Sequence, residues 1–215
     1  MDSSITVDHE NNDGGYIALK GFSYQFDKTI AEIFDHPKTS VNIKQVQDLN
    51  FDDYVIQVKH HDTRYSPSQI RARKKKPIIQ LLDLYEREPS RHYILYIYLK
   101  EVPSGHQSIW IDELNTILGA AASTYKTSLK PDFLKKLQLI HADDYLILNA
   151  SVIKKIKVAY SCTDEEAKFW YTVISAQLLK IVIDTPPSQR HKRTTSLTGI
   201  STQIKTGRDM IFRSS

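Results

Sequence analysis

The stretch Tyr93-Ile-Leu-Tyr-Ile-Tyr-Leu99 carries an aliphatic or aromatic side chain at every position. A strand with one wet face alternates apolar and polar residues, so an unbroken run of this kind reads as a strand buried on both faces. Such a strand belongs inside a sheet that helices cover, and the rest of the chain supplies helices on either side of it in sequence. Phe22, Phe26, Ile30 and Ile33 recur at three- and four-residue steps from Gly21 onward, with Pro37 beyond them, which predicts a helix. Residues 41–60 change rhythm: Val41, Ile43 and then Tyr54 to Val58 are β-rich, and the Asp52-Asp53 pair between the runs is turn-forming, so a hairpin is expected. Ser66 to Glu88 is helical in pattern but contains Pro77, which predicts a short basic helix followed by a second one starting at the proline. Residues 108–122 and 131–140 read as helices. Asp164 to Ile183 reads as a long amphipathic helix opened by a Thr163/Glu166 capping box. The order predicts a mixed α/β fold, a mixed β-sheet core flanked by helices with a helical C-terminal region.

Within that plan residues 1–15, mostly polar and ending in glycine, read as a disordered leader. Residues 16–125 form the core, 126–185 a helical C-terminal part of the same domain, and 186–215 a basic Ser/Thr-rich tail or linker. The single cysteine, Cys162, excludes an internal disulfide and fits a reducing, cytoplasmic setting. No apolar run reaches the length of a membrane span, and the polar start is not a signal peptide. A formal charge of +4 leans weakly toward a polyanionic partner.

Chemistry concentrates between Gln47 and His61. If the hairpin turns at Asp52-Asp53, partner numbers sum to about 105, and Asp48 lies opposite Gln57. Lys59, two residues on, shares their face. An acid, an amide and an amine would then converge, and a one-residue slip would scatter them. Asp48 and the side-chain carbonyl of Gln57 are oxygen ligands suited to Mg²⁺, with Mn²⁺ as a substitute. The cation would activate a water against a phosphodiester while Lys59 orients that water or offsets developing charge.

The D-x₈-Q-x-K spacing, preceded by the Gly21-Phe-Ser-Tyr-Gln25 segment, resembles the PD-(D/E)XK nuclease superfamily, in particular its Mrr-like and anti-phage effector branches. The resemblance implies a restriction-endonuclease-like sheet and a metal-dependent endodeoxyribonuclease acting on double-stranded DNA in a bacterial defence system. It further implies control by homo-oligomerisation, by a sensor or ATPase partner, or by a further C-terminal domain. It assigns Asp48, Gln57 and Lys59 as catalytic, and Gln25 as a helix residue near the metal. Many relatives carry a Glu before the aspartate, where this chain has Gln45 and Gln47, with Glu32 as a substitute acid. Arg64, Arg71, Arg73, Lys74, Lys75 and Lys76 are the expected DNA-contacting cations. The alternatives are a non-catalytic DNA-binding or assembly module that keeps the fold, and an RNase. His60 and His61 are candidates for phosphate contact, whereas His92, His141 and His191 lack zinc spacing.

Overall fold

The computed structural model describes residues 14–45 and 48–202. Helix α1 (Gly14–Asp35) is followed by strands β1 (Val41–Gln45), β2 (Asp48–Asn50) and β3 (Tyr54–His61). Helix α2 (Pro67–Arg87) then leads into β4 (His92–Leu99) and β5 (Gly105–Gln107). Helices α3 (Ile111–Leu118) and α4 (Leu129–Lys136) precede β6 (Leu137–His141), helices α5 (Tyr145–Tyr160) and α6 (Asp164–Asp184), and a two-residue β7 (Thr194–Thr195). The strands form one mixed sheet in the order β5-β6-β4-β3-β2-β1-β7. β3, β4 and β6 run parallel to their neighbours among themselves, and α2 is the crossover that parallel pairing of β3 and β4 requires. The remaining pairs are antiparallel.

Two apolar layers sandwich this sheet. Against one face α1, α5 and α6 bring Tyr24, Ile30, Ile33, Val152, Ile174 and Leu178 onto Ile56 and Val58. Against the other, α2, α3 and α4 bring Ile78, Leu82, Leu114 and Phe133 onto Val55 and Leu95. β4 serves both, as its composition predicts: Tyr93, Leu95, Ile97 and Leu99 are buried on the α2 side, while Ile94, Tyr96 and Tyr98 pack on the α1 side. The mixed α/β architecture flanked by helices is therefore the observed one.

Several local expectations change. Pro77 does not divide α2; the helix runs through it. The bond that position would have given to the Arg73 carbonyl is lost, but Pro77 is buried beside Ile78 and Leu81 in the α2 core, and that burial offsets it. The helix expected over 131–140 stops at Lys136, and residues 137–141 become β6, because the open edge of β4 takes a short alternating run that periodicity alone cannot assign. Residues 14 and 15 belong to α1, and residues 1–13 lie outside the described part of the chain. Part of the expected tail is folded onto the sheet edge: Ile43 N–H donates to the Arg193 carbonyl at 2.7 Å, and Ile200 is 1% exposed in the α1-side core.

The capping box at α6 is as the sequence predicts. The Thr163 hydroxyl accepts from Glu166 N–H at 3.2 Å, and the Glu166 carboxylate accepts from Thr163 N–H at 2.8 Å. Thr163→Ala is expected to cost about 1 kcal/mol of stability, read as a lower urea midpoint with an unchanged slope.

Candidate functional site

β2 and β3 pair in the register Asp48↔Gln57, Leu49↔Ile56 and Asn50↔Val55, the pairing deduced from the Asp52-Asp53 turn. Leu49 and Ile56 go to the α1-side core, so Asn50, Gln57, Lys59 and His61 occupy the α2 face. On β4 that face is apolar and covered by α2. On β2 and β3 it becomes a polar strip, bordered by one edge of α2. Gln57 is 1% exposed, and its Nε2 donates to Gln80 Oε1 of α2 at 2.5 Å. Its own carbonyl oxygen, Oε1, is buried without a hydrogen-bond partner. Asn50 is 7% exposed. Nothing is described of the side chain of Asp48, or of residues 46 and 47, so the expected role of Gln47 lies outside the described residues.

At the other end of the strip the Arg73 guanidinium sits over the Tyr65 ring, 4.9 Å from its centroid, and Tyr65 meets His61 edge-on at 6.0 Å. Burial, then Arg73, His60 and Lys59 as neighbouring positive groups, lowers the His61 imidazole to about 4. His61 is thus neutral at pH 7, chiefly because it is buried, with Arg73 and Lys59 nearby adding to the depression. A buried amide oxygen without a partner, a lysine, an exposed arginine and a half-buried tyrosine ring lie along one face of the sheet. Such a set suits an anion carrying a planar group: the cations take phosphate oxygens, and the Tyr65/Arg73 pair takes a ring.

The other expected site residues separate from this surface. Gln25 stands on α1, on the opposite side of the sheet, where its Nε2 donates to the Val58 carbonyl at 3.4 Å. That carbonyl lies past Gln57, the last residue of β3 that β2 pairs. Glu32 is also on the α1 side, 6% exposed, ion-paired with Lys28 and accepting from Tyr54 Oη at 3.2 Å. It is bound into a structural network and does not replace an acid in the strip. His60 lies between Tyr24 and Tyr98, each at 4.8 Å, stacked on the latter and tilted against the former, and burial lowers its pKa.

The basic segment does not form a single cationic face, because a helix turns each successive residue by about 100°. Arg64 is paired with Glu101 at 2.6 Å. Lys74 is 4% exposed and donates to Gln107 Oε1 at 2.8 Å. Lys75 lies against the Gly119 segment, its Nζ 3.5 Å from where a Cβ would stand there. Arg71 and Lys76 are exposed. Of the six expected DNA contacts, Arg73 is the one whose contacts place it at the strip. Tyr65 and Gln80 were missed by the sequence reading. Gln80 was accessible to it, since it lies seven residues, two helical turns, beyond Arg73 on the same face.

The residues fit a divalent cation in part. Among the described residues no group of three or more His, Cys, Asp or Glu is placed to hold a metal. The orphaned Oε1 of Gln57 is nevertheless a neutral oxygen of the kind Mg²⁺ accepts, and the residue directly opposite carries a carboxyl group by composition. No helix among the described residues is long and apolar enough to cross a membrane.

No family model matches the chain, and no curated protein matches it. Among solved structures it is similar to the Acinetobacter baumannii Cap4 SAVED/CARF-domain containing receptor with the cyclic trinucleotide 3'3'3'-cAAA. The TM-score is 0.44 at 7% identity, over 74% of this chain and 41% of that one. It is also similar to the Moraxella osloensis Cap4 SAVED/CARF-domain containing receptor, with TM-score 0.43 at 9% identity, over 79% of this chain and 44% of that one. The chain thus spans less than half the length of each.

These findings correct two expectations. The neighbours are SAVED/CARF-domain receptors and not PD-(D/E)XK nucleases, so the resemblance drawn from D-x₈-Q-x-K is withdrawn. The function inferred through it, Mg²⁺-dependent cleavage of double-stranded DNA by a defence effector, is withdrawn with it. One neighbour is recorded with a cyclic trinucleotide and not with duplex DNA. The physical reason for the miss is that a hairpin placing an acid, an amide and an amine on one face specifies a polar strip, and such a strip serves binding as readily as hydrolysis.

Proposed function

We propose that this chain binds a small phosphodiester-containing nucleotide at the strip between β3 and α2, and that it acts as a ligand-sensing domain. The observation that carries the reading is the Lys59, His61, Tyr65 and Arg73 cluster, where an exposed arginine sits over a half-buried aromatic ring beside a neutral histidine. A base stacks on or beside Tyr65, while Arg73 and Lys59 receive phosphate oxygens. Gln57 Oε1 accepts a hydrogen bond from the ligand or coordinates a cation the ligand brings. Mg²⁺ is part of the proposal in that second form, held by the Gln57 oxygen with Asp48 opposite. The anti-phage setting expected from the sequence belongs to the proposal as the place where such a sensor would work.

The cyclic trinucleotide recorded with one structural neighbour is the natural first probe. Calorimetry with that compound, its linear form and a DNA duplex is expected to show binding of a trinucleotide that weakens as salt rises. Arg73→Ala and Lys59→Ala should each weaken it about tenfold, close to the loss of one charge-assisted contact. Trinucleotide affinity unchanged in both variants, or no trinucleotide binding at all, would overturn the reading.

The Gln57 oxygen also favours a second reading, in which a cation held there activates water against the bound nucleotide. Chromatography of the same incubation separates the two. Intact ligand after prolonged incubation with Mg²⁺ or Mn²⁺ leaves binding alone.

A further inference from the structure

Away from the strip, on the α1 side of the sheet, helix α5 leaves one stripe of its surface uncovered. Ala150, Ile153, Lys154, Lys157 and Val158 recur at three- and four-residue steps and so lie along one side of the helix. Together with Cys162 and Asp164 past the helix end, they line an open groove of about 620 Å³. Its floor is apolar, and Val158 is 71% exposed. Its rim is charged. Lys157 pairs with Asp164 at 2.7 Å, whereas Lys154 is exposed and forms no ion pair among the described residues.

The C-terminal part of the chain arrives beside this groove. Ile200 is 1% exposed in the α1-side core, and Ser201 Oγ is hydrogen-bonded to Tyr160 Oη at 2.9 Å. Tyr160 ends α5, two turns beyond Ile153 on nearly the same side, so Ser201 is held at the Cys162 end of the groove. Residues 203–215 lie beyond the described part of the chain. Their sequence contains one apolar run, Met210-Ile211-Phe212, flanked by Asp209 and Arg213. Met210 is eight residues past Thr202, a reach of up to about 27 Å. From Tyr160 back to Ala150 the helix rises only about 15 Å.

We propose that Met210-Ile211-Phe212 docks in the α5 groove of its own chain. The three apolar side chains cover Ile153 and Val158. Charge sets the direction: with Asp209 over Lys154 and Arg213 over Asp164, the run lies parallel to α5, whereas the reverse direction brings Arg213 toward Lys154. Tethering favours the chain's own run over that of a second copy, because a short linker holds it at an effective concentration on the order of millimolar.

The sole cysteine, Cys162, lines the groove and reports on it. The test is the rate at which the full chain reacts with the aromatic disulfide DTNB at fixed pH. Ile211→Ser/Phe212→Ser, which touches nothing in the described fold, should expose the thiol and raise the rate about tenfold. Val158→Gln, at a position exposed enough to tolerate it, should do the same from the other side of the contact. A second measurement places a cysteine at 206, 211 or 215 and follows oxidation to a bridge with Cys162. The bridge should form fastest from 211 and within one chain, as a species of monomer mass. Equal DTNB rates in wild type and both variants, or equal bridging from all three positions, overturns the proposal. Bridging that yields mainly dimers, or a DTNB rate that falls as protein concentration rises, also overturns it and assigns the groove to a second copy.

Discussion

Between pH 6.5 and pH 4 the folded protein is expected to lose on the order of 3–5 kcal/mol of stability, most of it through His61 and His141. Both imidazoles are held down to about 4. For His61 burial is the largest cause, followed by Arg73, His60 and Lys59; for His141 it is burial and then Lys74, partly opposed by the Pro103 carbonyl. In the unfolded chain each titrates near 6.5. Between the two values the unfolded state binds a proton that the folded state refuses, so stability is full above about 6.5, falls with pH through the window, and levels off below about 4. His60, lowered by burial between Tyr24 and Tyr98, acts in the same direction.

Asp27 opposes them. It is fully buried, accepts from Tyr171 Oη at 2.6 Å and Asn149 Nδ2 at 3.0 Å, and is nevertheless raised because desolvation outweighs those two bonds. Its protonation on acidification is easier in the folded state, which returns part of the loss. Urea unfolding at half-unit pH steps measures the balance. His61→Gln and His141→Gln should each flatten the slope between pH 6.5 and 4. A wild-type curve level across that range, or a double variant with the wild-type slope, would show that these rings are not the groups responsible.

The sequence carried the sheet further than its edges. β4 was legible because an unbroken apolar run admits few other environments, and the β2–β3 register because one acidic turn and the two-residue period fix every partner. β5 and β7 were not, since Gly105–Gln107 is wholly exposed and Thr194–Thr195 is two residues long; both are strands only because a neighbour offers hydrogen bonds. α5 escaped notice because apolar residues ring it: Leu148, Val152 and Ile156 are buried while Leu146, Ile147 and Val158 are exposed, which blurs the stripe that marks an amphipathic helix.

The candidate site was legible in position and illegible in chemistry. Asp48 and Gln57 pair, and Lys59 follows on the same face, but Gln25 and Glu32 fall on the other side of the sheet, and the cations of α2 point in several directions. Which residues complete the strip depended on how α2 lies over β3. That packing brings Gln80 to Gln57 and Arg73 to the Tyr65/His61 corner. No linear spacing encodes it.

Gln57→Glu is expected to lower stability by about 3 kcal/mol in EDTA and to recover most of it in millimolar Ca²⁺ or Mg²⁺. The side chain at 57 is 1% exposed, so the substitution buries a negative charge and removes the amide donor that Gln80 Oε1 accepts. It also sets a second acidic residue directly opposite residue 48, and like charges at directly paired positions destabilise a sheet. Lys59, two residues along on the same face, offsets part of this. A hard divalent cation would offset more, since two opposed carboxyl-bearing residues form a better oxygen set than one carboxylate and one amide. A ligand at a hundred times its Kd contributes about 2.7 kcal/mol to the folded state. Thermal unfolding in EDTA, Mg²⁺ and Ca²⁺ should therefore show a large cation-dependent rise in Tm for the variant and a smaller one for wild type. Gln57→Leu, which removes the orphaned oxygen and leaves Gln80 exposed to water, should stay folded and show no such rise. Equal Tm for Gln57→Glu in EDTA and in either cation would mean that the β2–β3 strip does not gather a cation, and the Mg²⁺ part of the proposed function would fall while the Tyr65/Arg73 binding surface stood.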